Sequence, residues 1–287
     1  MIFLIQYYRM FADYHVHSSY SDDSNYPMEQ VVLDAIKLGL DEICFTDHVD
    51  YGIKLDWDEE GTTYRNDDDG NPLRNCDYER YFRQIEDLQK KYGNEISIHK
   101  GLEYGVQIST IDKYEKLYQK YPLDFVILSI HQVNDIEVFL PEFFANKTQR
   151  EYNRVYYQEL IDVMEVYKNY SVLGHIDSFN RYDINGICPY EEFKDLVDII
   201  LKKAIQDDKG IELNMSCVKY KLPDLTPCKA IIQRYYDLGG RIITIGSDSH
   251  NPGELAAHFD QGKAELRKIG FKEFCTFKDM KPIFHTL

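Results

Sequence analysis

Short β-branched and apolar runs alternate with longer helical patterns along the whole chain, and this alternation limits the possible folds more than any other feature. Strand-like runs cover residues 11–17, 42–48, 96–104, 125–131, 172–177, 210–215 and 242–247. Helix-period stretches lie at 27–37, 78–92, 148–167, 190–206, 227–238 and 252–269. In the first of these, Val31, Val32, Ala35 and Ile36 form the apolar stripe. Gly39, Gly93 and Gly239 stand just past helix ends, where a left-handed residue is wanted. Alternation at this pitch predicts parallel β/α units. With no break in composition, the expectation is one α/β domain over 1–287, a closed or nearly closed seven-stranded barrel. The one long irregular stretch, 50–77, is rich in Asp, Asn and Gly. It reads equally well as a loop over a site and as a solvated acidic insertion.

The charge balance removes some function classes. The 33 Lys and Arg against 49 Asp and Glu give −16, a surface that repels a phosphate backbone, so neither nucleic acid nor an anionic membrane is an expected partner. No apolar run approaches the roughly 18 residues needed to cross a bilayer. The apolar run 1–5 has no basic residue before it and no small-residue cleavage pattern after it, so it is not read as a signal peptide. The 6 cysteines are scattered without a C-x-x-C pair, and several fall in apolar runs, as buried thiols in a reducing compartment do. The expected location is the cytoplasm. Tyr152, Tyr156 and Tyr157 share helical spacing and are expected to pack against the barrel. The acidic run 67–70 lacks the ligand spacing and terminal Glu of an EF-hand.

What ends each strand points to chemistry. The first run closes on His15-Val16-His17, the second on Asp47-His48, and the third leads to Glu103. The fourth closes on His131, the fifth on His175 with Asp177, and the seventh opens into Asp248-Ser249-His250. Six of the 9 histidines thus stand at the C-terminal ends of predicted parallel strands, which converge on one face of a β/α barrel. Side chains two apart on a strand point the same way, so His15 and His17, about 7 Å apart along it, can grip one ion or two adjacent ones. Asp248-x-His250 repeats that geometry with a harder, charge-balancing ligand. One H-x-H is weak; the ordered set is strong. His99, His258 and His285 match no such pattern and are read as structural or surface residues.

This ordered set resembles the PHP (polymerase and histidinol phosphatase) family, metal-dependent phosphoesterases built on a distorted seven-stranded β/α barrel. Asp13-Tyr14-His15-Val16-His17 is similar to its first motif and Phe45-Thr46-Asp47-His48 to its second. Ser129-Ile130-His131 and Gly174-His175-Ile176-Asp177 are similar to the next two, and Gly246-Ser247-Asp248-Ser249-His250 to the last. The phrases G-L-E-Y-G, G-H-I-D and E-L-N resemble the stand-alone histidinol-phosphatases. The resemblance implies two or three divalent ions, Mn, Fe or Zn, at the C-terminal ends of the strands. It puts His15, His17, Glu103 and Asp248 on the first ion, and Glu103, His131 and His175 on the second. It puts His48, His250 and Asp23 on the third, with Asp22 as the alternative carboxylate. It also implies that Arg181 forks onto the phosphate, unless it is a surface arginine. Asp177 either orients His175 or acts as an acid toward the leaving alkoxide, unless it is structural; Asp47 and Ser129 carry the same ambiguity. The implied activity is hydrolysis of L-histidinol phosphate to L-histidinol and phosphate in histidine biosynthesis, by attack of a metal-bridged hydroxide. Other readings are a PHP phosphodiesterase or nucleotide phosphatase acting on another small phosphoester, and a metal-binding accessory subunit. The complete ligand set and the lack of a polymerase segment disfavour the last.

Overall fold

The computed structural model describes residues 9–63, 66–67, 69–183 and 185–287. The apolar opening run 1–5, and Asp68 of the acidic run, lie outside them. Strands β1 (Ala12–Val16), β2 (Glu42–Phe45), β3 (His48–Val49), β4 (Ser97–Gly105), β5 (Phe125–Ser129), β6 (Gln132–Val133) and β7 (Ile136–Glu137) occupy the first half. They are followed by β8 (Val172–Leu173), β9 (Gly210–Asn214), β10 (Ile243–Gly246), β11 (Glu273–Lys278) and β12 (Lys281–Thr286). The helices are α1 (Met28–Leu38), α2 (Tyr78–Tyr92), α3 (Ile111–Lys120), α4 (Pro141–Phe144) and α5 (Gln149–Val166), then α6 (Lys194–Gln206), α7 (Ser216–Lys219), α8 (Lys229–Asp237) and α9 (Phe259–Ile269).

The main sheet runs β1-β2-β4-β5-β8-β9-β10, with β3 alongside β4 and every pairing parallel. The two ends of this path approach each other: Asp248 N–H donates to His15 O and His17 N–H to Ser249 O, both at 2.9 Å. The sheet is therefore nearly closed, as the strand–helix alternation predicts. Each helix buries the stripe that its period requires. In α1 this is Met28, Val31, Val32 and Ala35, and α1 ends at Gly39 in the left-handed region (φ 78°). Gly93 departs from expectation: α2 ends on it in right-handed conformation (φ −64°). A capping box of Thr148 and Glu151 starts α5, which buries Tyr152, Tyr156 and Tyr157 as expected. Burying an aliphatic or Phe side chain in this shell contributes about 1.5–3 kcal/mol.

Other differences from the sequence reading have local causes. The stretch 252–269 is helical only from Phe259, because the turns before it put Ala256 and His258 at positive φ. Strands end earlier than predicted at Phe45, Ser129 and Leu173, so His131 and His175 stand just beyond their strands. The C-terminal hairpin of β11 and β12 was not expected, since its run is short and its turn, Asp279-Met280, needs positive φ at both residues without a glycine (49° and 61°). Phe277 and Cys275 of this hairpin close a small core with Ala12, Tyr14, Cys44, Phe125, Ile127 and Val172. A bulge between Asp13 and Val16 breaks the register of β1. Tyr14 packs on that core and bonds Phe277 O, while His15 and His17 both reach Glu103.

His99, at the other end of β4, lies 3.5 Å from Glu42 and 3.6 Å from Asp124. Burial disfavours its charge, yet these carboxylates hold its pKa up to about 9, above the ordinary 6.5. The stability it lends is full below about 6.5 and is lost as pH rises through about 9. His99→Gln should flatten that part of the denaturation-versus-pH curve. A wild-type curve as flat as the variant's would remove the contribution.

Candidate metal centre

Glu103 is the hub of the site. It sits in β4 opposite His48 of β3, fully buried, with one oxygen for each half of a histidine cluster. Its Oε2 lies 3.1 Å from His15 Nε2, 3.1 Å from His48 Nδ1 and 3.5 Å from His17 Nε2. Its Oε1 lies 2.8 Å from His175 Nε2 and 3.1 Å from His131 Nε2, and accepts from Ser129 Oγ at 2.7 Å. Asp248 enters from the end of β10 in a left-handed conformation (φ 57°). That turn brings its Oδ1 within 3.5–3.7 Å of His15, His17 and His250. The rings of His17 and His250 stack at 4.1 Å, and those of His17 and His48 at 4.3 Å.

Asp22 and Asp23 part company here. Asp23 Oδ2 faces His250 Nε2 at 3.0 Å and His48 Nε2 at 3.4 Å, whereas Asp22 turns to Lys54 Nζ at 2.6 Å. The structure thus gathers His15, His17, Asp23, His48, Glu103, His131, His175, Asp248 and His250 at one end of the barrel.

The donor chemistry fits divalent cations. His17 Nε2 and His48 Nδ1 are buried and make no hydrogen bond, although both face carboxylate oxygens. Lone pairs that converge on shared space, rather than on each other, are what a cation between them satisfies. Four overlapping groups have ligand atoms within 4.8 Å of one another: His15, His17 and Glu103; His15, His175 and Asp248; His48, Glu103 and His131; His17, His48 and His250. Imidazole with carboxylate suits Mn, Fe and Zn alike. Burial would raise the Glu103 carboxyl, but the charges of His15, His131 and His48 hold it well below the usual range. Burial together with His250 and His48 pushes His17 well down, so that it is a neutral imidazole ready to ligate.

The sequence reading missed the residues that aim these ligands. His15 Nδ1 donates to Glu212 Oε1 at 2.6 Å, and His131 Nδ1 to Asp50 Oδ1 at 2.7 Å. A carboxylate only accepts, so both rings carry the proton on Nδ1 and turn Nε2 toward Glu103. Glu212 also accepts from the His175 backbone N–H at 3.0 Å. The available signal was spacing: Glu212-x-Asn214 at the end of a strand, and Asp50 two residues after His48. Gly105 and Gly246 have no side chain because a Cβ would collide with Asp50 and His131 at the first and with Glu212 and His15 at the second. Asp47 accepts from Ser18 and Ser21, and Ser129 donates to Glu103, so both act as supports.

A cavity of about 190 Å³ opens beside the cluster and contains Arg181. Arg181 Nη2 donates to Ser216 Oγ at 2.6 Å and Asp248 Oδ2 at 3.3 Å, and its guanidinium lies 4.4 Å from the Tyr220 ring. Its Nε is buried without a partner. Asp177 lies apart from this cavity's lining. β8 ends at Leu173, so His175 and Asp177 both stand beyond the strand, ahead of a tight turn at Ser178–Arg181. Asp177 Oδ2 accepts from Cys228 N–H at 2.9 Å, and the residue lines a separate cavity with Asn180, Cys188 and Thr226. Burial pushes its carboxyl up to about 7, but that carboxyl is aimed at the start of α8 and not at the histidines. Asp177→Asn should keep kcat within about tenfold, short of the 10²–10⁴ that a general acid contributes. A larger loss in a folded variant would return Asp177 to the reaction.

The PHP domain model matches residues 13–216. The histidinol-phosphatase of Lactococcus lactis is 30% identical over 272 residues, 94% of this chain and 95% of that protein. A probable histidinol-phosphatase of Thermotoga maritima is 27% identical, covering 91% of this chain and 93% of its own. The crystal structure of the Lactococcus lactis histidinol phosphate phosphatase, complexed with zinc, L-histidinol and phosphate, superposes with a TM-score of 0.80 over 95% of this chain and 98% of that one.

Proposed function

The chain belongs to the PHP family, and from that premise we propose that it is a histidinol-phosphatase, a phosphoric monoester hydrolase that converts L-histidinol phosphate to L-histidinol and phosphate in histidine biosynthesis. The carrying observation is the full ligand-type set around Glu103 in a chain that matches the Lactococcus lactis enzyme over 94% of its length. The whole of 1–287 is one PHP barrel domain. Its cysteines, unpaired in the structure, support a cytoplasmic setting.

The site would hold two or three ions of Mn, Fe or Zn, and the zinc in the Lactococcus lactis structure supports zinc among them. His15, His17, Glu103 and Asp248 would hold one, and Glu103 with His131 and His175 a second. His48, His250 and Asp23 would hold a third, Asp23 rather than Asp22 because only Asp23 faces both imidazoles. Such ions, when bound, supply positive charge against the phosphoryl oxygens and acidify water near neutral pH.

The protein's own groups do the rest. Glu212 and Asp50 fix the tautomers of His15 and His131. Ser216, Asp248 and Tyr220 fix the Arg181 guanidinium on the wall of the cavity, where its charge favours a phosphate. Phe139 and Tyr182, ring centroids 5.6 Å apart on the cavity wall, offer apolar surface to the imidazole end of the substrate. Arg181→Met should raise KM for L-histidinol phosphate by about 10–100-fold, the scale of one or two charge-assisted hydrogen bonds. Unchanged kinetics would take Arg181 out of the phosphate site.

The deciding experiment is phosphate release from L-histidinol phosphate by the Zn- or Mn-loaded protein, beside a chelated control and a panel of mononucleotides and phosphodiesters. Metal-dependent turnover confined to histidinol phosphate is expected. Turnover on the panel alone would keep the site and overturn the substrate.

A further inference from the structure

Lys54 belongs to the irregular stretch after β3 and is buried, about 7% exposed, on the wall of the same cavity as His48, His131 and His250. Its ammonium bridges two carboxylates, Asp22 Oδ1 at 2.6 Å and Asp50 Oδ2 at 2.8 Å. Each of those carboxylates sits one step from a proposed metal ligand. Asp22 precedes Asp23, and Asp50 receives the Nδ1 proton of His131 at 2.7 Å. Asp50 is held from the other side as well, since its backbone N–H donates to Asn75 Oδ1 at 2.9 Å.

We propose that Lys54 is a positioning residue for the metal centre: it keeps Asp22 off the His48–His250 pair, leaving that place to Asp23, and it holds Asp50 against His131. This rests on the metal-centre reading above. The physical ground is charge. Asp22 and Asp23 are chain neighbours in one turn, and without a cation for Asp22 two anions would compete for the same imidazoles. Asp50 is almost wholly buried, and a buried carboxylate stripped of its cation relaxes toward water or another charge, taking its hold on His131 with it. Lys54 thus gives the acidic segment a task at the site. It ties the segment to two of the three proposed ion positions without touching an ion.

The test is zinc binding, read by competition with a chelating indicator, together with activity as a function of zinc concentration. Lys54→Met should weaken the zinc-binding steps that depend on His131 and Asp23 by about 10–100-fold, the usual cost of losing a group that orients a ligand. Its activity deficit should shrink as zinc is raised. Lys54→Arg should restore much of the affinity, and Asp22→Asn placed in the Lys54→Met background should restore the share due to Asp22. Asp22→Asn alone should bind zinc as the wild type does. Thermal unfolding of each variant controls for folding. Zinc affinity within about twofold of wild type in a folded Lys54→Met protein would overturn the proposal. So would a raised KM for histidinol phosphate that no amount of zinc corrects, because Lys54 would then touch substrate. Zinc binding is read without substrate, so a wild type that binds zinc but leaves histidinol phosphate intact would sink the proposed function alone.

Discussion

Glu103→Gln should lower kcat for L-histidinol phosphate by about a thousandfold or more, the upper range for removing one preorganised charged or polar group from a reacting centre. The exchange is nearly isosteric, so the effect isolates charge. Glu103 presents one oxygen to His15, His17 and His48 and the other to His131, His175 and Ser129. A glutamine can offer an acceptor to only one of these groups and turns an N–H₂ toward the other. Whichever way the amide faces, half of the cluster meets a donor where it needs an anion, and the shared ligand between two proposed ion positions is gone. Zinc content after dialysis should fall in parallel with activity, while the far-ultraviolet circular dichroism stays that of the wild type. Activity within tenfold of wild type would remove Glu103 from the centre of the site.

That Glu103 is shared between two ion positions was implied by the family resemblance, but its contact with His48 as well was not. The order H-x-H, D-H, E, H, H, D-x-H at the ends of predicted parallel strands was legible because strand alternation and barrel convergence are local and topological rules. The register that sets Glu103 opposite His48, and the bulge that lets Tyr14 and His15 serve different layers, arise from pairing between distant segments. The tasks of Asp50, Lys54 and Glu212, the last noted only as part of the phrase E-L-N, were not legible for a related reason. Each is an ordinary charged residue in sequence and acquires its task only from the partner that folding supplies. For Asp177 the sequence left an orienting, an acidic and a structural role open, and its bond to the Cys228 N–H, which favours the structural one, comes from a segment 51 residues away. The C-terminal hairpin was missed because its turn lacks the glycine or asparagine that normally announces positive φ at two successive residues.

Chelation should abolish turnover altogether and yet leave the chain folded, with a lower Tm. The first half follows from what the ions would supply when bound, positive charge against the phosphoryl oxygens and acidified water; Arg181, a cation that cannot accept a proton, replaces only part of that charge. The second half follows from the metal-free charges. Burial works against the ionised forms of Glu103 and Asp248, but neighbouring charges, His15 first among them, hold both carboxyls well below their usual range. The histidines therefore supply counter-charge when the ions leave, so the cluster stays paired and the barrel around it stays closed. What is lost is the binding energy that favours the folded state. For ligand at about a thousand times its Kd this is about 4 kcal/mol per site, and in a chain of this size it corresponds to a fall in Tm of about 7 °C for each ion lost. Adding back Zn or Mn should restore both activity and Tm. A chelated protein that still releases phosphate would refute metal dependence. A chelated protein that unfolds at ambient temperature would show that the histidine counter-charge is insufficient, and that the ions are part of what closes the barrel.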